Sequence, residues 1–399
     1  MTLVPLHDPL RLATYTPISP ADVIVFREGD YAVAVDGKTK EVIARSTDHA
    51  DVLREAVNHV HAEYGGGKIH LDPREYIIES LVDVPGQPYK AGILLKDNTI
   101  LEGSGIGATV LKLGDAVGGS VIAFESVHRV AIMNLKIDGN KANNTDSGVD
   151  GDLCGIRGHA SWGSVIRDVW IVNTVREGLY VTNCGWNCYE DVIVQYAGRT
   201  GIELDSPDYL TAVDLKALNN DLYGIELVGG ATREELIATI LGGEVYGNAH
   251  HGVHVIHTVG GEIIGITSRA NGSPDYRQDG ILVEDTEGLA IIGCHAYENY
   301  RCGIYVYSSD RVAVIGCKAL NNNQAGYSDG HGIRLYDATY CIVKGNLAYD
   351  NQDTPKQQYG VSEEGASDYN LIIGNILKPN AVGGLTTVGT NTVQANNIT

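Results

Sequence analysis

The chain has 399 residues, 43% of them hydrophobic and 20% charged, with 50 acidic against 29 basic side chains and a formal net charge of −21. This is globular composition on a chain long enough for a large core, which excludes a disordered protein. So acidic a surface excludes nucleic acid as a partner, because phosphate binding needs basic patches. No stretch reaches the ~20 apolar residues of a membrane span.

The first twenty residues are aperiodic and contain prolines, and they read as an arm. From 22 to 46 apolar residues alternate, and Asp36-Gly37 between two apolar runs is a hairpin signal. A β-meander is expected there, giving an N-terminal unit over 1–46 and a second unit over 47–399. Thr47 or Asp48 can cap a helix in which Val52, Ala56, Val57 and Val60 fall at helical spacing, and Gly65-Gly-Gly67 ends it. Strand alternation resumes at Lys68-Ile-His-Leu71. Met1 to His7 shows no basic segment followed by an apolar run, so no signal peptide is visible. An extracellular or virion-associated setting stays open.

From Cys154 one phrase recurs: glycine, then alternating apolar residues. It begins at Gly155, Gly178, Gly201, Gly224, Gly252, Gly280, Gly303, Gly332 and Gly360, with a first interval of 178 − 155 = 23 repeated twice and later intervals of 23 to 29. A near-fixed period in this range signals a repeat architecture. Three short strands per period, with Asn and Gly turns, describe an all-β parallel β-helix in which an Ile/Val/Leu ladder fills the interior. The asparagines ahead of the glycines are expected to turn the chain, since Asn tolerates left-handed backbone angles. A solenoid needs its first coil covered, and the helix near residue 50 suits that task. Cys294, Cys317 and Cys341 recur at coil spacing and read as small stacked core residues.

If the first and third residues after each glycine point inward, the second and fourth point outward and line up in two columns from coil to coil. The first reads Arg157, Tyr180, Glu203, Glu226, His254, Leu282, Tyr305, Arg334, Ser362. The second reads His159, Thr182, Asp205, Val228, Ile256, Glu284, Tyr307, Tyr336, Glu364. Glu203, Asp205 and Glu226 thus become neighbours, with Glu203 and Glu226 one coil apart at roughly 5 Å between backbones. Like charges this close raise at least one pKa and suit acid/base catalysis, with His254 as proton carrier. Arg157, His159 and Arg334 are candidate anion clamps, and Tyr180, Tyr305, Tyr307 and Tyr336 candidate stacking platforms. Carboxylates could equally hold Ca2+. The polar loop Asn140–Asp152 adds Asp146, Asp150 and Asp152, which could close a groove or bind a cation. Three insertions of similar length, Asn271–Gly280, Asn323–Gly332 and Asn351–Gly360, should emerge on one edge as a wall.

The helix, Gly65-Gly-Gly67, the following strand and Tyr76 resemble the start of the pectate-lyase superfamily of right-handed parallel β-helices. Leu135-Lys-Ile-Asp-Gly-Asn140 and the Asn/Gly coils resemble the catalytic module of mannuronan carbon-5 epimerases. The place of that family's Asp-Pro-His-Glu run is occupied here by Tyr180-Val-Thr-Asn183, so its His and acidic neighbours are absent, while its later Asp is matched by Asp205. The resemblance implies a helix-capped right-handed β-helix that grips an extended polysaccharide. Three activities stay open: carboxylate-driven cleavage, lyase or carbon-5 epimerase chemistry on a uronic-acid polymer, and glycan binding without turnover by a homo-oligomeric spike.

Overall fold

The computed structural model describes residues 21–399, apart from 147, 150, 231–233, 236–237 and 275. The expected arm over 1–20 lies outside the described residues.

Strands β1 (Val23–Glu28), β2 (Tyr31–Asp36) and β3 (Val42–Ser46) form the expected antiparallel meander. Asp36 makes the second hairpin turn by accepting from the amides of Lys38 and Thr39 at 2.8 Å each. β1 also pairs in parallel with β4 (Gly67–Leu71), Val23 facing Ile69. The meander is therefore stitched edge-on to the first coil.

Between them runs α1 (His49–Tyr64). The Asp48 side chain accepts from the Asp51 amide and caps its start, and Gly65, at φ 67°, closes its end. Its buried stripe of Ala50, Val52, Leu53, Ala56, Val57 and Val60 lies on the first coils. That covers an end which would otherwise expose apolar side chains to water.

The rest is a parallel β-helix. Thirteen strands stack into one sheet, which contains every glycine phrase. A second, larger stack wraps the remaining sides. The corner between its two runs has a uniform requirement. Asp168, Asp191 and Asp214, then Gly242, Gly265, Gly293, Gly316, Gly345 and Gly374, occupy it with φ between 51° and 69°. Only Gly, Asn and Asp enter this left-handed region readily, which is why these residue types recur there.

The structure corrects two expectations about the coils. Asn173 and Asn323 do turn the backbone, at φ 53° and 64°, but Asn220, Asn248, Asn271 and Asn299 do not. The left-handed residue is the one before each: Asn219, Gly247, Ala270 and Glu298. These four asparagines are buried instead and hand hydrogen bonds from coil to coil. Asn248 donates its amide and side-chain nitrogen to Asn271 Oδ1 at 3.1 and 2.9 Å, and Asn271 does the same to Asn299 at 3.1 Å each. This satisfies buried donors that no strand can reach. The three cysteines are all core residues, but only Cys294 and Cys317 stack. Cys341 precedes its strand rather than following it, at another corner.

Candidate active site

The outer face of the thirteen-stranded sheet has the register read from the glycines. Tyr180 pairs with Glu203, Glu203 with Glu226, Glu226 with His254, and His254 with Leu282. Thr182 pairs with Asp205, Tyr305 with Arg334, and Tyr307 with Tyr336. Ile202, Leu204, Ile225 and Leu227 are buried between them, so the acidic residues project from the face.

The three insertions form the expected wall. The Tyr327 hydroxyl donates to Pro274 O at 3.3 Å, the Lys356 ammonium to Gln324 O at 2.9 Å, and the Gln358 amide to Gly330 O at 2.9 Å. The column beside the wall is the more covered one. His254, Leu282, Tyr305 and Arg334 are buried, whereas Asp205, Glu284, Tyr307 and Tyr336 are half-exposed.

The centre of the face is a carboxylate–imidazole–carboxylate line. His254 Nδ1 lies 3.0 Å from Glu226 Oε1, and its Nε2 lies 3.5 Å from Glu284 Oε2. The second contact is an ion pair without an aligned hydrogen bond, so the Nε2–H keeps its hydrogen-bonding capacity. Burial alone would lower the His254 pKa. The hydrogen bond with Glu226 and the two neighbouring carboxylates, Glu226 and Glu284, outweigh it and hold the pKa above its ordinary value. Glu284 in turn is lowered, mainly by His254. The Thr200 hydroxyl donates to the other Glu226 oxygen at 3.4 Å.

His251 behaves in the opposite way. Burial, reinforced by the cations of His254 and Arg301, drives its pKa well below the ordinary value. Its Nδ1 accepts from the Asp279 amide at 3.0 Å, so the neutral ring carries its proton on Nε2. The ring lies 5.6 Å from His254, centre to centre. Tyr223 packs against both, stacked on His251 at 5.7 Å and tilted on His254 at 5.0 Å, and burial with nearby Glu226 pushes its phenol up to about 12. Neighbouring titratable groups whose environments push their pKa values apart are a feature of acid/base sites.

The other candidates divide into two groups. Towards the N-terminal end, the Arg157 guanidinium stacks on Tyr180 at 3.8 Å and donates to Gly158 O, Tyr180 O and the Thr182 hydroxyl. His159 meets Glu125 at 2.9 Å. Towards the C-terminal end, Arg334 pairs with Glu364 at 2.8 Å and Asp329 at 3.1 Å, and Tyr305 lies between the guanidiniums of Arg301 and Arg334. Tyr180 and Tyr305 therefore have arginine guanidiniums on their rings. Tyr307 and Tyr336 remain half-exposed.

Two carboxylates of the face are not singled out by the columns. Glu284 stands in the second column while its partner, His254, stands one coil away in the first, so neither column by itself joins them. Glu125 belongs to no phrase, because its strand, Ser120–Glu125, lacks the leading glycine pattern. Among the described residues, no group of three or more His, Cys, Asp or Glu side chains is placed to hold a metal. Asp150 of the polar loop lies outside them.

Known proteins share this architecture. The family described as right handed beta helix region matches residues 223–398. The A-module of a mannuronan C-5 epimerase from Azotobacter vinelandii superposes with a TM-score of 0.74 at 21% identity, over 88% of this chain and 94% of that one. The fold is thus a right-handed parallel β-helix. A mannuronan C5-epimerase of Azotobacter vinelandii is 31% identical over 128 residues, which is 31% of this chain and 13% of that protein. An alginate lyase of the same organism is 30% identical over 132 residues, 32% of this chain and 14% of that protein. The matches thus span about a seventh or less of these curated relatives.

Proposed function

We propose that this chain is a carbohydrate-active enzyme that lays an extended polysaccharide along the outer face of the thirteen-stranded sheet and cleaves it by acid/base chemistry. The observation that carries this reading is the Glu226–His254–Glu284 line, whose Glu226 end adjoins the strand of Glu203 and Asp205. His254, whose pKa two carboxylates raise, would give its Nε2 proton, buried against Glu284 in the free protein, to a leaving glycosidic oxygen. Glu203, two strands from His254, takes a proton from the water that attacks the anomeric carbon. One water is consumed, the glycosidic bond breaks, and the two proton transfers balance. Glu226 positions the imidazole, and Asp205 faces the same side.

A second reading is favoured by the local sequence matches to epimerases and a lyase. The same base would remove the proton at carbon 5 of a uronate. Expulsion of the neighbouring glycosidic oxygen then gives a lyase, and return of a proton to the opposite face gives an epimerase.

A panel of neutral and uronic polysaccharides, with and without calcium, separates these readings. New reducing ends without unsaturation support hydrolysis. Absorbance of unsaturated uronate supports elimination, and inverted uronate signals by proton NMR support epimerisation. Glu203→Gln and Glu226→Gln should abolish turnover and spare binding. Binding without turnover in the unaltered protein would sink the enzyme reading in favour of a glycan-binding spike.

A further inference from the structure

One turn away from the candidate groove, the chain presents a second ordered face. In six successive coils the strands after the turn alternate, with the middle residue buried and its neighbours outward. One outward column runs Leu241, Ile264, Ile292, Ile315, Lys344, Ile373, each paired with the next. The other runs Thr239, Glu262, Ala290, Ala313, Ile342, Leu371 in the same register. Outward positions of a solvated sheet are ordinarily polar. Here, on a chain of net charge −21, twelve positions hold two charges, Glu262 and Lys344. Both are exposed, and neither has an ion-pair partner among the described residues.

We propose that this face joins two copies of the chain in an antiparallel, two-fold dimer. The argument rests on charge and symmetry. On a chain of net charge −21, like charges brought together at an interface cost affinity. This face carries one charge of each sign, so two copies can meet on it without that penalty. Glu262 lies in the second of the six coils and Lys344 in the fifth. A two-fold axis in the plane of the face, across the stack and between the Ala290 and Ala313 strands, exchanges those two coils. Glu262 of each copy then sits diagonally opposite Lys344 of the other, one step of about 7 Å along the strand, within reach of both side chains. A two-fold axis along the stack would instead bury both charges against isoleucines. Six coils at ~4.8 Å give a patch about 29 Å long, and with flanking side chains the pair buries on the order of 1,100 Å² in total. That is the lower end of specific interfaces and fits a reversible dimer. The flat Ala290–Ala313 centre allows the two sheets to approach closely.

The test is sedimentation equilibrium of the full chain across a concentration series, with circular dichroism confirming that each variant is folded. The unaltered protein should pass from 42.7 kDa to twice that mass as concentration rises. Glu262→Lys and Lys344→Glu should each weaken dimerisation by roughly tenfold or more, and the double charge swap should restore it. Ile292→Lys should abolish it with the fold intact. A protein that stays monomeric to its solubility limit overturns the proposal. So does a charge swap that fails to rescue, because the antiparallel pairing would then be wrong.

Discussion

Replacing Glu226 with Gln tests the central electrostatic claim without changing the shape of the side chain. Gln can still accept from His254 Nδ1, but the negative charge is gone. The pair is mostly buried, with side chains 7% and 15% exposed, so solvent screens it little. A hydrogen bond to a charged group in such a setting contributes about 1.5–3 kcal/mol, against roughly 1 for a neutral one. Glu226→Gln should therefore cost about 1–2 kcal/mol while His254 is protonated. The sign of the pH dependence follows from the direction of the shift. His254 has its folded pKa raised, so its stabilisation is fully present below the unfolded value near 6.5 and is lost as pH rises through the folded value. The gap between the two proteins should be widest near pH 5.5 and should narrow in alkaline solution. Solenoid stability is largely local, so the sensitive readout is amide hydrogen exchange over Ile225–Val228 and Val253–Ile256, supported by urea unfolding. A gap of equal size at acid and alkaline pH would refute the reasoning, since Glu226 would then be acting through packing rather than through the imidazolium charge.

Asn271→Ala removes an acceptor for two Asn248 nitrogens and a donor to Val245 O, all buried. At about 1–3 kcal/mol per orphaned group, the loss should exceed 3 kcal/mol by urea unfolding. An effect under 1 kcal/mol would mean that the ladder is replaceable by water. Gly224→Ala would put a methyl 2.5 Å from Gly252 O and 2.7 Å from Asn248 Nδ2. It should lower the melting temperature by several degrees, whereas alanine at Gly293, which has open space, should cost only its backbone strain at φ 61°. Of the seven cysteines, all but Cys188 are buried. A thiol reagent should modify one group in the native protein, and Cys188→Ser should remove that reaction. Fast labelling of several thiols would contradict the packed core.

Much of the coil register is legible in the order of the amino acids. The glycine phrase marks where each face strand begins, and a strand has a strict period of two. Counting from Gly201, Gly224 and Gly252 therefore places Glu203, Glu226 and His254 on adjoining strands. The cap helix is equally readable, because Asp48, the apolar spacing and Gly65 are local signals. What local sequence does not supply is side-chain direction and partner choice. Asn248 and Asn271 look like turn residues in a window of ten residues, and their inward direction depends on the coil above being present to accept. Arg157 and Arg334 have the residue type and position of anion clamps, but Tyr180 and Glu364 occupy them. Glu125 has no glycine to count from. The periodicity of this chain determined the coil, its register and the two outward columns, because those follow from backbone geometry alone. Only the tertiary structure decided that the His254 pKa is raised between Glu226 and Glu284 while that of His251 is lowered. Burial and distance set those pKa values, and both belong to the assembled coils rather than to any one of them.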